Sequence, residues 1–462
     1  MTVFTCLFVS PLQIKRLLTL IATLCLLVPV TMAQTEASPA PKDPPPTEHQ
    51  HHVHGDDVVP TEASAPDPSG FLMEQASGTA RNPAITPMEM SGTQKGDWSL
   101  MFHGLAYLNS VEQTGPRGHD KVFSTNWVMG MAQRPVGRGS LMLRTMLSFE
   151  PATVSDQLYP ELFQTGETAY GNPIVDGQHP HDFFMELGVS YAMPLGRRTL
   201  FNLYVAPVGD PALGPVAFPH RASAAELPQA VLGHHFQDST HIAVNVITAG
   251  LDWGLLRAEA SAFHGGEPDE KRWDIESGEI DSWAVRLSLE PSANWTAQIS
   301  RGALTKPEAL EPGDAVRTTA SVSYTLPLAS GAWSSSLIAG RHYKESHDIT
   351  LNSLLAETVV NFWRRNYVTA RFEMNDKDEL FPHRHAPGAP LGDPVPTFEV
   401  KSYTLGYTFD VLATDRFRAG VGGNYTYYQF PSNLSFFYGE DPRATYVFLR
   451  LRTAGGAHHH GH

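Results

Sequence analysis

From Trp98 onward, apolar and polar residues alternate in runs of about 8–14 residues, the period of a strand whose two faces meet different surroundings. About sixteen such runs are readable: 98–111, 122–133, 140–150, 182–193, 199–206, 240–252, 255–264, 280–290, 294–301, 316–326, 332–343, 352–362, 365–375, 397–411, 416–428 and 443–452. The faces are clean. Leu141, Leu143, Thr145 and Leu147 oppose Met142, Arg144 and Ser148, and Trp283, Val285, Leu287 and Leu289 oppose Arg286, Ser288 and Glu290. Links of a few residues alternate with long ones, the longest at 151–181 and 207–239. This rhythm predicts an all-β chain folded as a transmembrane antiparallel β-barrel of about 16 strands, with 14 as the alternative count. Tight turns face the periplasm and long loops the exterior. A soluble sandwich would hide the apolar face in a core, but it gives no reason for every second loop to be long.

Before the barrel, Lys15-Arg16, an apolar run from Leu17 to Val30 and Thr31-Met32-Ala33 have the order of a secretory signal, so residues 1–33 are expected to be cleaved. Residues 34–96 hold eight prolines between Gln34 and Gly70 and no sustained period, which predicts a disordered periplasmic arm. The barrel is expected at 97–453, followed by a His-rich tail at 454–462. Both cysteines lie in the leader, which excludes disulfides and thiol chemistry from the mature chain. The formal charge of −15 becomes −17 once Lys15 and Arg16 leave, and argues against nucleic acid as a partner. Trp98, Trp127, Trp253, Trp273, Trp295, Trp333, Trp363, Tyr427 and Tyr428 near strand ends fit interface girdles. The expected partners are the lipid of an outer membrane and a small solute or metal ion; a homo-oligomer is compatible with the size.

The candidate chemistry is concentrated in histidines, of which there are 21. His49, His51, His52 and His54 in the arm suit Cu(II), Zn(II) or Ni(II), and Met73, Met88 and Met90 add thioethers suited to Cu(I). An even strand count puts His458, His459, His460 and His462 on the same side of the membrane. A second candidate metal rim is formed by His179, His181, Asp182, His234, His235, Asp238 and His241 at the ends of the longest loops. The same residues also allow a hydrolytic reading, with Ser239 as nucleophile, His235 or His241 as base and Asp238 as orienter. His103, Met101, Met142 and Met146 face inward on early strands, where such residues commonly pack. Arg144, Glu186, Arg257, Arg286, Arg371 and Arg418 are placed on the lumen face. They either set the selectivity of a pore or fill the interior with ion pairs.

The strings Phe123–Pro135, Leu143–Ser148, Leu162–Thr168 and Gln178–Asp182 resemble a group of uncharacterised Gram-negative outer-membrane proteins found beside heavy-metal and copper efflux components. The resemblance implies an outer-membrane barrel in a metal-resistance setting and lends no catalytic residues. The expectation is a porin-like channel, or a binding protein for a small solute or a copper-like ion, with no resident cofactor required and Cu or Zn as the candidate ions. An outer-membrane hydrolase and a structural or adhesive barrel are the alternatives.

Overall fold

The computed structural model describes residues 66–311, 313–381 and 396–455. The segment 1–33 read as a leader, the histidine arm at 49–54 and the tail at 458–462 lie outside them. Sixteen strands close into one antiparallel barrel: Trp98–Gln113, Lys121–Val136, Gly139–Leu147, Phe184–Pro194, Leu200–Gly209, Ala243–Asp252, Leu256–His264, Ser282–Ser292, Trp295–Leu304, Ala315–Leu328, Gly331–Lys344, Ile349–Phe362, Asn366–Lys377, Phe398–Ala413, Phe417–Gln429 and Arg443–Thr453. Closure is made by the last strand on the first, from Ala444 opposite Gln113 to Arg452 opposite Leu105. Below that point the strand Ser91–Lys95 takes over and pairs with Trp98–Phe102, so the first strand has no bare edge.

Alternation decides which face meets lipid. Leu143, Val285, Leu287 and Leu405 point outward and are 41–64% exposed, whereas Arg144, Arg286 and Thr404 from the same strands are buried inside. A closed cylinder satisfies every backbone group without water, and its apolar outside matches hydrocarbon. The protein is an outer-membrane β-barrel. Both ends of the barrel segment lie at the short-turn, periplasmic end. Trp253, Trp295, Trp333 and Trp363 stand exposed at that interface, as expected of a girdle. Trp127 and Tyr428 do not belong to it. Their odd-even position turns them inward, where they are 6% and 1% exposed.

The interior is filled by segments that re-enter the barrel. Residues 148–183 carry a hairpin, Tyr159–Ala169 with Asn172–Gln178. Its Leu162 and Phe163 are fully buried among Tyr107, Tyr428, Tyr438 and Phe448 at the extracellular end. Residues 210–242 cross the middle, with Phe218 and Val231 against Ile338 and Leu355 of the far wall. The expectation of a disordered arm up to residue 96 fails for residues 66–95. They form a helical turn, Pro68–Met73, capped by Asp67, a two-strand ribbon and the wall strand Ser91–Lys95. Proline content misleads here because the segment packs on the barrel rather than on itself: Phe71 and Leu72 join Met129, Met142 and Met185 in one apolar cluster.

Candidate functional site

The six charges expected on the lumen face all lie on that face, and Arg144, Arg257, Arg286 and Arg371 hold the re-entrant segments, while Arg418 bonds residues of the wall and its turn. Arg144 bonds Glu186 (2.8 Å) and the carbonyl of Gln75 (3.4 Å). Arg257 donates to Thr79 O at 3.1 Å and to Glu290 at 3.0 Å. Arg286 bridges Glu259 (2.9 Å), Gly214 O (3.2 Å) and Thr79 Oγ1 (2.7 Å). Arg371 joins Glu357 (3.1 Å) to the carbonyls of Gln229 and Ala230. Arg418 pairs with Asp410 at 3.4 Å near the periplasmic mouth. From the loop side, Arg221 reaches Glu357 (2.6 Å) and Asp238 (3.0 Å). The arrangement matches the space-filling alternative, with the added feature that wall arginines cap backbone carbonyls of the plug, which would otherwise be buried without donors.

Above this layer the two longest loops bring five histidines together. Pro180 keeps residues 179–181 extended, so His179 and His181 emerge on one face. The one-turn helix His234–Gln237 sets His234 over Asp238, and the 3₁₀ turn Ser239–Ile242 carries His241. Ring centroids are 5.2 Å apart for His234–His235 and His234–His241, 5.4 Å for His181–His241 and 6.1 Å for His179–His235. All five rings are anchored through Nδ1: His179 to the carbonyl of Pro180 (3.1 Å), His181 to Glu150 (3.0 Å), His234 to Asp238 (2.7 Å), His235 to Glu267 (3.2 Å) and His241 to the carbonyl of Asp238 (2.8 Å). The Nε2 atoms of His235 and His241 are buried without a hydrogen-bond partner. Glu150, Glu167 and Glu267 complete the shell and were not singled out by sequence, because they come from other stretches with no motif of their own.

Burial and partners divide the five rings. Burial pushes His234 down to about 4 despite Asp238, and drives His241 well below the usual imidazole range. Burial also lowers His179, only partly offset by Glu167. For His181 and His235 the burial penalty is outweighed by Glu150 and Glu267, and both are raised. Asp182 is not a ligand beside the rings. It pairs with Arg272 at 3.2 Å, and burial still raises it to about 7. Asp238 is spoken for by Arg221 and His234, which together with His241 hold its carboxyl low although burial opposes them.

The hydrolytic constellation is not assembled. Ser239 Oγ donates to Glu267 at 3.2 Å and accepts from Arg317 at 2.9 Å, so a carboxylate and a guanidinium occupy the hydroxyl that a histidine would have to activate. Among the described residues, three acidic or imidazole ligand atoms approach within 4.8 Å of one another at Glu308, Glu311 and Glu379 and not among the histidines. That acidic trio already holds the Lys344 ammonium, 2.8 Å from Glu311 and 3.0 Å from the adjoining Asp378. Met88 is exposed near the periplasmic end, while Met90 packs on the apolar cluster of Phe71 and Met129.

No family model matches the chain, and no curated protein matches it. Among solved structures it is similar to an anion-selective porin from Comamonas acidovorans, 12% identical over 77% of this chain and 99% of that one, with a TM-score of 0.49. It is similar also to Salmonella typhi OmpF in complex with daunomycin (10% identity, 78% and 100% coverage, TM-score 0.47). A third is Pseudomonas putida OprB at high pH (9% identity, 76% and 94% coverage, TM-score 0.46).

Proposed function

We propose that this porin-like outer-membrane barrel binds a divalent transition-metal ion, Zn(II) or Cu(II), at the histidine centre of His181, His234, His235 and His241. The loops that carry the ligands are the ones that close the lumen. The observation that carries the reading is the pair of orphaned Nε2 atoms on rings whose Nδ1 is already tied down. An unpartnered buried nitrogen costs roughly 1–3 kcal/mol, and a carboxylate or carbonyl on Nδ1 is the support that aims the other nitrogen at a metal. Burial keeps His234 and His241 neutral, the form that ligates. Two imidazoles sharing a tetrahedral ion at about 2.0 Å stand with ring centroids roughly 5 Å apart. The 5.2 and 5.4 Å separations along His234–His241–His181 agree with that spacing.

The test uses full-length protein refolded in detergent and Co(II) as a spectroscopic stand-in. The expected result is an intense visible absorption of tetrahedral type, abolished in His234→Ala/His241→Ala and retained when residues 456–462 are removed. An unchanged spectrum in the double variant would refer the ion to the histidine tails and end this reading.

A further inference from the structure

We propose a second, chemically different site: a methionine-lined cavity in the periplasmic half of the lumen that takes a soft monovalent cation, Cu(I) or Ag(I). The cavity has a volume of about 560 Å³ and reaches the periplasmic mouth at the turn 329–332. Met73, Met88 and Met90 from the N-terminal segment and Met129 and Met131 from the second strand line it. Behind them Met101, Met142, Met146 and Met185 pack in the same cluster. Nine of the chain's thirteen methionines thus gather at one place. Ordinary apolar packing does not call for this concentration, since leucine would serve it with better-defined rotamers.

The thioethers are accompanied by imidazole and indole. His220 lies with Nε2 3.0 Å from Met146 Sδ, and its ring centroid is 4.5 Å from that of Trp127. His103 also lies against Trp127, at 4.7 Å. Burial drives His220 well below the usual imidazole range, so the ring is neutral at neutral pH and keeps one unprotonated nitrogen. Soft sulfur and neutral nitrogen select Cu(I) and its congener over hard cations, and an indole face adds cation–π attraction. Among the charged residues that line the cavity, Arg452 is paired with Glu89 (2.7 Å) and Glu226 (3.3 Å), and Arg221 from the loop with Glu357 and Asp238. Phe218 and a void of about 30 Å³, lined also by Trp127, Glu150 and His181, separate this cavity from the histidine centre above. The two sites are distinct and are tested separately.

Silver(I) nitrate in chloride-free buffer, added to the full chain in detergent, is the probe. Wild type is expected to show Ag(I) quenching of the Trp127 component of emission, defined by the difference from Trp127→Phe. The variant Met129→Leu/Met146→Leu keeps the volume. It is expected to bind one Ag(I) equivalent fewer by equilibrium dialysis, and to give the wild-type Co(II) spectrum at the histidine centre. His220→Gln is the second variant, with Ag(I) affinity down about tenfold or more, and it decides the matter if the double variant does not fold. Equal Ag(I) stoichiometry and affinity in folded wild type and variants, or quenching that survives Trp127→Phe unchanged, would overturn the site and leave the methionines as packing alone. Ag(I) binding that persists in His234→Ala/His241→Ala separates this site from the upper one.

Discussion

At the scale of single residues, the histidine centre depends on a backbone position that only glycine occupies without strain. Gly166 has φ +119°, and a Cβ there would stand 2.3 Å from Nε2 of His235. Gly166→Ala must therefore displace the His235 ring as well as strain the chain, a cost of about 1–3 kcal/mol. The expected outcome is a lower urea midpoint together with weaker Co(II) binding; a variant equal to wild type in both would show that the close approach is unimportant. Protonation gives a second residue-level expectation. His234 is held at about 4 when folded, against about 6.5 unfolded. The unfolded chain thus binds the extra proton as pH falls from 6.5 to 4, and stability drops over that window by roughly 2 kcal/mol at pH 5 from this residue alone. His181 and His235 act with the opposite sign. Their raised values make the pairs with Glu150 and Glu267 stabilising below pH 6.5, a contribution lost as pH rises through them. In urea titrations at stepped pH, His234→Gln should flatten the loss between pH 6.5 and 4. An unaltered slope would assign that loss to other groups.

At the scale of elements, the loop 210–242 and the segment 66–90 behave as parts bolted to the wall by guanidinium groups. Arg221, 1% exposed, is held by Glu357 and Asp238. Arg221→Met would leave Asp238 with only His234 and the Phe218 N–H, and would remove one of the two guanidinium partners of Glu357. Losing one member of a buried pair costs roughly 3–5 kcal/mol. The expected consequence is a loop that opens to protease while the barrel stays intact, read as cleavage inside 210–242 with unchanged heat-modifiable gel mobility. Replacing residues 213–238 with a short Gly/Ser bridge should convert a nearly silent barrel in planar bilayers into one with steady conductance, because the arginine ladder would then face water. A bridge variant as silent as wild type would mean that the hairpin 159–178 or the N-terminal segment alone is sufficient to close the lumen.

At the scale of the whole molecule, the barrel and its contents are stabilised by different forces. The wall is a closed hydrogen-bonded cylinder in lipid, and the plug is a network of buried ion pairs, carbonyl caps and apolar contacts. A metal that binds only the folded loops adds about 2.7 kcal/mol when present at 100 times its dissociation constant. Saturating Zn(II) should accordingly raise the unfolding midpoint of wild type and leave that of His234→Ala/His241→Ala in place. An equal rise in both would locate the stabilising ion elsewhere.

Strand positions, strand number and the identity of the lipid face were legible in the chain, because a period of two is a local property and each strand shows its own. The long-short rhythm of the links was local as well, and it oriented the barrel. Proximity of His179 and His181 to His234, His235 and His241 was suggested by loop ends alone. Their carboxylate supports were not, since Glu150 and Glu267 enter from separate stretches. What only the tertiary structure decided is the state of the lumen. Residues 66–95 have no periodicity of their own and fold on Arg144, Arg257 and Arg286, partners tens to hundreds of positions away. Met73, Met129, Met146 and His220 become neighbours only once the cylinder has closed. A sequence writes short-range alternation directly, whereas contacts across a barrel are set by closure and shear, which no single segment carries.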